Sequence, residues 1–224
     1  MLNVAALGKR YGETWAVRDA HLKIAKGEAV GLLGANGAGK STMIKCILDL
    51  VHATTGSAEL TGPYAYLPEQ PQLPPSLSAL SLLRFKCKAN RIPIDKAHAS
   101  LAEVKLSTAD IVRPMRQYSK GMRQRTSLAF ALCGDPGLIL LDEPMSGLDA
   151  LGRAQMLDVF KQRKDNGAAI LMSSHIVSDM VQLCDRVLVM AHGRICESVA
   201  VTEHSLAEAK ALETKLADWT ERKL

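Results

Sequence analysis

The sequence predicts an α/β fold built on a largely parallel sheet, and three observations carry that prediction. Short apolar, β-branched runs alternate with helix-patterned stretches, the order expected of strands joined by crossover helices. Three of the runs, Leu138–Leu141, Ala169–Met172 and Val187–Met190, are apolar without interruption, as strands covered on both faces must be. In the middle a proline-rich stretch followed by three helical patterns breaks the alternation, which points to a helical insertion between two parts of the sheet.

Taken in order, Leu2–Leu7 and Ala29–Leu33 are the first strand candidates. Ser41–Val51 reads as a helix, because Met43, Ile44, Ile47, Leu48 and Val51 share one face. Prolines at 63, 68, 71, 74 and 75 exclude regular helix or central strand from 62 to 75. Helical patterns follow at Ser78–Asn90, Asp95–Leu106 and Lys120–Gly134. The chain thus divides into one domain over 1–204, with a helical subdomain inserted at about 76–134, and an amphipathic helix over 205–224. Ser205 and Glu208 form a capping-box pattern at the start of that helix. Ala209, Leu212, Leu216 and Trp219 then recur at 3-4-3 spacing, a stripe for packing on its own domain in preference to a partner.

At 224 residues the chain fits one domain with a subdomain, long enough to bury a core without disulfide or metal staples. Its 47% apolar and 23% charged residues are ordinary globular values and exclude a disordered or collagenous chain. No apolar run reaches the ~18–20 residues of a membrane span, and Met1–Arg10 lacks the order of a secretory signal. The chain is not expected to cross a membrane by itself. A net charge of +5 is mild; without an arginine-rich block or RNA-binding aromatic pattern, no nucleic acid is expected as a partner. Cys46, Cys87, Cys133, Cys184 and Cys196 are scattered and form no C-x-x-C pair, so they read as buried or incidental thiols of a reducing cytosol.

The sharpest local signal is Gly34-Ala-Asn36-Gly37-Ala38-Gly39-Lys40-Ser41-Thr42, a complete G-x-x-x-x-G-K-[ST] phosphate loop. It lies between an apolar strand and an amphipathic helix, where the mechanism needs it. Glycines let successive N–H groups turn toward phosphate oxygens, and the helix start adds partial positive charge. Lys40 brings a full charge to the β- and γ-phosphates, and the small Ser41 hydroxyl is a suitable Mg²⁺ ligand. A second element, Leu138-Ile-Leu-Leu-Asp142-Glu143-Pro144, ends an apolar strand in two carboxylates. Beside a nucleotide, Asp142 would hold Mg²⁺ and Glu143 would polarise an attacking water.

Four further segments complete an ordered set. Tyr118-Ser119-Lys-Gly121-Met opens a helix about two dozen residues before Asp142, and Ser119 with the Gly121 backbone suits an anion there. Ser146-Gly-Leu-Asp149 follows the acidic pair, and Ser173-Ser-His175 ends a strand, with the histidine in reach of a γ-phosphate. Tyr11 stands upstream, where it would stack an adenine face. This set closely resembles the ATP-binding cassette (ABC) ATPases over residues 1 to about 200.

The resemblance implies a P-loop NTPase (RecA-like) core with a small antiparallel β part and a helical subdomain. It implies ATP and Mg²⁺ as ligands, and two subunits paired head to tail. Lys40, Ser41, Asp142, Glu143 and His175 would then act in cis, and Ser119 and Gly121 on the partner's nucleotide. Glu143 would be the general base, His175 a switch orienting water and phosphate, and Asp149 a coupling residue between the two sites. The signature keeps Ser119 and Gly121 of the family's Leu-Ser-Gly-Gly-Gln, and Glu69, beside Gln70, stands where the family has its Q-loop glutamine. We assign Glu69 to the metal with Ser41 and Asp142. Both variants resemble the ATPase subunits of ABC-2-type exporters, which work with separate multi-span permease subunits at the cytoplasmic face of the membrane. The stretch from Lys40 to Glu69 is short for the family and leaves the completeness of the antiparallel β part open. A ribosome- or DNA-directed ABC ATPase is the alternative, but translation factors of that kind carry two cassettes. Chromosome-maintenance relatives insert a long coiled coil, and no sustained heptads occur between Lys40 and Asp142.

Overall fold

The computed structural model describes residues 1–221. Nine strands and seven α-helices follow one another among them: β1 (Leu2–Tyr11), β2 (Thr14–Ile24), β3 (Ala29–Leu33), α1 (Lys40–Ile47), β4 (Thr55–Leu60), β5 (Tyr64–Leu67), α2 (Ala79–Ala89), α3 (Asp95–Glu103), α4 (Lys120–Leu132), β6 (Leu138–Asp142), α5 (Ala150–Asp165), β7 (Ala169–Ser174), α6 (Val177–Leu183), β8 (Arg186–Ala191), β9 (Arg194–Ala200) and α7 (Leu206–Glu221). Six strands form one sheet in the order β5-β6-β7-β3-β8-β9. The first five run parallel and β9 returns antiparallel along β8. The sheet is therefore mostly parallel, as the uninterrupted apolar runs predict, and every residue of β3, β6 and β7 is buried.

A second, antiparallel sheet has the order β2-β1-β4, so the short stretch after Lys40 still supplies the third strand of that sheet. α1 lies between the sheets. Its Met43, Ile44 and Ile47 pack with Leu2, Val4 and Leu22 of the antiparallel sheet and with Val30, Leu32 and Leu140 of the parallel one. The opposite face of the parallel sheet forms the other core, with α2 to α7.

Several boundaries differ from the sequence reading. α1 ends at Ile47, where Asp49 turns into the left-handed region at φ +53. The proline-rich stretch does contain a strand, β5, but it occupies an edge of the sheet, where missing N–H donors cost least. β2 carries no clear strand pattern in the sequence because its alternation is interrupted: Asp19 has φ +53, and the β1–β2 register shifts at three places. A bulge of this kind moves later side chains to the other face.

α7 packs on its own domain, burying Ala209 and Leu212. Its start carries the reciprocal bonds of a capping box: Glu208 N donates to Ser205 Oγ (3.3 Å) and Ser205 N to Glu208 Oε2 (3.4 Å). Lys215 pairs with Glu197 of β9, and Trp219 Nε1 donates to Glu197 Oε2 at 3.1 Å. Residues 222–224 of the expected helix lie outside the described residues. All five cysteines are free, four of them buried. Burial pushes the Cys87 and Cys184 thiols up, away from reactive thiolates.

Candidate nucleotide-binding site

The site begins where β3 ends. Flanked by β7 and β8 in parallel register, β3 delivers the chain into the Gly34–Gly39 loop that opens α1. Gly39 is the N-cap of α1 at φ +104, and no side chain caps that helix. A Cβ at Gly39 would stand 2.1 Å from the Ala16 carbonyl oxygen, so both the dihedral and the space exclude a larger residue. Side chains of Ser78, Ser119 and Asp149 cap α2, α4 and α5, whereas α3 and α6, like α1, have no such cap. The first amides of α1 are thus left for an anion.

Lys40, only 6% exposed, lies back across this loop. Its Nζ donates to the carbonyl oxygens of Gly34 (2.7 Å) and Ala35 (3.2 Å) and stands 3.5 Å from Glu143 Oε1. Strands β6 and β7 supply the acidic wall, with Asp142 paired opposite Ser173. Asp142 Oδ1 accepts hydrogen bonds from Ser41 Oγ (3.0 Å) and Ser173 Oγ (2.6 Å). Glu143 adopts a left-handed backbone at φ +48, which costs about 1–3 kcal/mol for a residue with a side chain. Its amide donates to Ser173 Oγ (3.1 Å) and to the Ser173 carbonyl (3.2 Å). Glu143 Oε2 is 3.0 Å from His175 Nδ1. Behind it, buried Gln124 donates Nε2–H to the Pro144 carbonyl at 2.8 Å, tying α4 to the acidic turn.

Lys40, Ser41, Glu143 and His175 line one cleft of about 450 Å³, whose wall also includes Asn36, Gly37, Ala38, Gly39, Thr42 and Glu69. The structure therefore brings together most of the residues that the sequence singles out. Gly34, Tyr11 and Asp142 are not part of that wall; Asp142 is buried and joins it through the Ser41 hydroxyl. Tyr11 ends β1, half exposed, with Lys9 Nζ 4.9 Å from its ring centroid. Ser119, Gly121 and Asp149 line a separate hollow of about 380 Å³ that shares no residue with the cleft. There Ser119 Oγ accepts from Met122 N (3.2 Å), and Asp149 Oδ1 accepts from Gly152 N (2.7 Å).

The oxygen donors here suit Mg²⁺, which prefers oxygen: the Ser41 hydroxyl and Glu69 on the cleft wall, and the Asp142 carboxylate bonded to Ser41. Two buried side-chain oxygens without a hydrogen-bond partner, Tyr66 Oη and Glu143 Oε1, belong to residues of this region. Burial first, then Asp142 and Glu69, push the Tyr66 phenol up to about 12. Ser173, Tyr66 and Gln124 are the residues that sequence reading missed. Ser173 is visible in the Ser-Ser-His segment, but its place opposite Asp142 depends on the β6–β7 register, which no local pattern encodes.

A glycine-rich loop at a helix start, an acidic strand end beside it and a mostly parallel sheet define a P-loop nucleotide-binding protein. Comparison with known proteins narrows the class. A family model described as "ABC transporter" matches residues 17–146. An uncharacterized ABC transporter ATP-binding protein of Nostoc sp. is 37% identical over 84% of this chain and 61% of its own length. The chain thus spans about three fifths of that relative. The lantibiotic transport ATP-binding protein SrtF of Streptococcus pyogenes is 33% identical, over 87% of this chain and 89% of that one. The aliphatic sulfonates import ATP-binding protein SsuB of Corynebacterium glutamicum is 37% identical, over 88% and 83%. A solved ATP-binding subunit of an ABC transporter superposes with a TM-score of 0.84 at 28% identity, covering 96% of this chain and 99% of that one. The chain belongs to the ABC transporter ATP-binding family.

Proposed function

We propose that this protein hydrolyses ATP as one of two head-to-tail subunits and so powers separate multi-span membrane subunits of an exporter. The observation that carries the reading is the division of the site within one chain. Lys40, Ser41, Glu143 and His175 share one cleft wall, and short contacts through buried Asp142 and Ser173 link them. Ser119 and Gly121 line a different hollow, so a nucleotide in the cleft needs a second copy to be enclosed by them. The family membership and the SrtF and SsuB relatives support coupling to transport.

In this reading the uncapped start of α1 and Lys40 hold the β- and γ-phosphates, and Tyr11 stacks on the adenine. Mg²⁺, held with the help of Ser41, Asp142 and Glu69, offsets phosphate charge when bound. Glu143 takes the proton from the attacking water, and His175 fixes the carboxylate that does so through its 3.0 Å bond. Asp149, at the start of α5 beside the Ser119 hollow, couples the two sites of the pair. The helical segment 76–134 serves as the subdomain that receives cytoplasmic parts of the permease, and the protein sits on the inner face of the cell membrane through it. Export is the direction carried by the Tyr118–Met122 signature and Glu69 variants; the cargo is chosen by the permease.

The test of the chemistry is Glu143→Gln, which is expected to bind ATP as the wild type does and to lose roughly 10²–10⁴-fold in turnover. Unchanged turnover in that variant would remove Glu143 from the mechanism. For the partner, affinity capture from detergent-solubilised membranes is expected to recover a multi-span permease; recovery of ribosomes or DNA in its place contradicts the transport reading.

A further inference from the structure

We propose that Ser173 is a positioning residue that locks the metal-side carboxylate of Asp142 and the backbone of Glu143 into one unit. The inference rests on the ATPase reading above and adds a residue to it. Ser173 is fully buried in β7, a central strand held by β6 on one side and β3 on the other. In register it stands opposite both Asp142 and Leu32, so it has no freedom to slide.

The polarity of its two bonds is fixed by chemistry. The Glu143 amide can only donate, so Ser173 Oγ accepts there at 3.1 Å. The single hydroxyl proton then goes to Asp142 Oδ1 at 2.6 Å, a distance typical of an O–H bond to a carboxylate. The Glu143 amide also meets the Ser173 carbonyl at 3.2 Å, and together the two acceptors hold the left-handed turn at φ +48. One hydroxyl therefore joins the group that faces the metal to the residue that carries the base. Two residues further along the same strand end, His175 bonds the Glu143 carboxylate. The contacts run Ser41, Asp142, Ser173, Glu143, His175 without a gap.

A cation drawing on Asp142 thus acts on the setting of Glu143 through Ser173, and removal of the hydroxyl separates the two. In Ser173→Ala, turnover is expected to fall and the Mg²⁺ concentration for half-maximal rate to rise, each by roughly 10–100-fold, as for the outer partners of a metal site. KM for ATP and Mg²⁺-free ATP binding stay near wild type, and Ser173→Thr, which keeps the hydroxyl, restores both parameters. Ser173→Cys, similar in size but a weak donor, replaces the alanine variant should that one not fold. Mn²⁺ binding in the presence of ATP, read by electron paramagnetic resonance, follows the metal side without turnover. A wild-type protein that failed to hydrolyse ATP would overturn the ATPase reading, while this readout still decided the role of Ser173. Wild-type turnover and metal affinity in the alanine or cysteine variant overturns the proposal. So does a matching loss of Mg²⁺-free ATP binding, which marks a general structural defect, or a threonine variant that rescues nothing.

Discussion

Gly39 and Glu143 both hold left-handed backbone, for opposite reasons. At Gly39 the conformation is free of side-chain strain and brings the loop so close to the Ala16 carbonyl oxygen that an added Cβ would stand 2.1 Å from it. At Glu143 the conformation is strained, and the Ser173 oxygens hold it. Gly39→Ala is therefore expected to cost at least the roughly 1–3 kcal/mol of backbone strain and to abolish ATP binding. Denaturant unfolding beside an ATP titration checks this, and an alanine variant with wild-type affinity would contradict it. The loop, the acidic pair and His175 are legible in the sequence because each packs its chemistry into a few consecutive residues. Ser173 and Gln124 are not, since their partners lie 31 and 20 residues away and become neighbours only once β7 is in register with β6 and α4 has packed behind the acidic turn.

Elements differ in the same way. β3, β6 and β7 are readable as unbroken apolar runs because both faces are covered. The half-exposed β9 and the bulged β2 are not, since edges and bulges dilute or shift the pattern. α7 was readable from its cap. Glu208 accepts from the Thr202, Glu203 and Ser205 amides and from the Thr202 hydroxyl. Led by the Thr202 amide, these bonds hold its carboxyl at about 2, below the ordinary carboxylate range. A carboxyl lowered on folding stabilises the fold fully above its unfolded pKa of roughly 4.3 and loses that contribution as pH falls through about 2. Glu208→Gln should therefore lower the urea midpoint by a constant amount above pH ~5, with the gap narrowing at lower pH. A gap independent of pH down to ~3 would show that the Glu208 charge does not hold the helix start.

The whole molecule is two sheets clasping α1, with the other helices on the outer face of the parallel sheet. α4 links the cleft and the separate hollow: Ser119 caps its start at the hollow, and Gln124 about one turn on grips the Pro144 carbonyl behind Glu143. In the proposed dimer, a partner's nucleotide at that hollow therefore has a short route to Glu143, along one turn of α4 and across a single hydrogen bond. None of the helices among the described residues is long and apolar enough to cross a membrane, and in the proposed transporter that part falls to the permease. In the proposed dimer, Ser119 of one copy closes over a nucleotide held in the Lys40 cleft of the other. The most direct test is the solution mass of Glu143→Gln with Mg-ATP, measured with and without the added substitution Ser119→Arg. The account predicts a dimer that forms only with nucleotide and is lost on adding Ser119→Arg, while ATP binding to the monomer persists. A mass that stays monomeric with saturating Mg-ATP, or a dimer indifferent to Ser119→Arg, would contradict it.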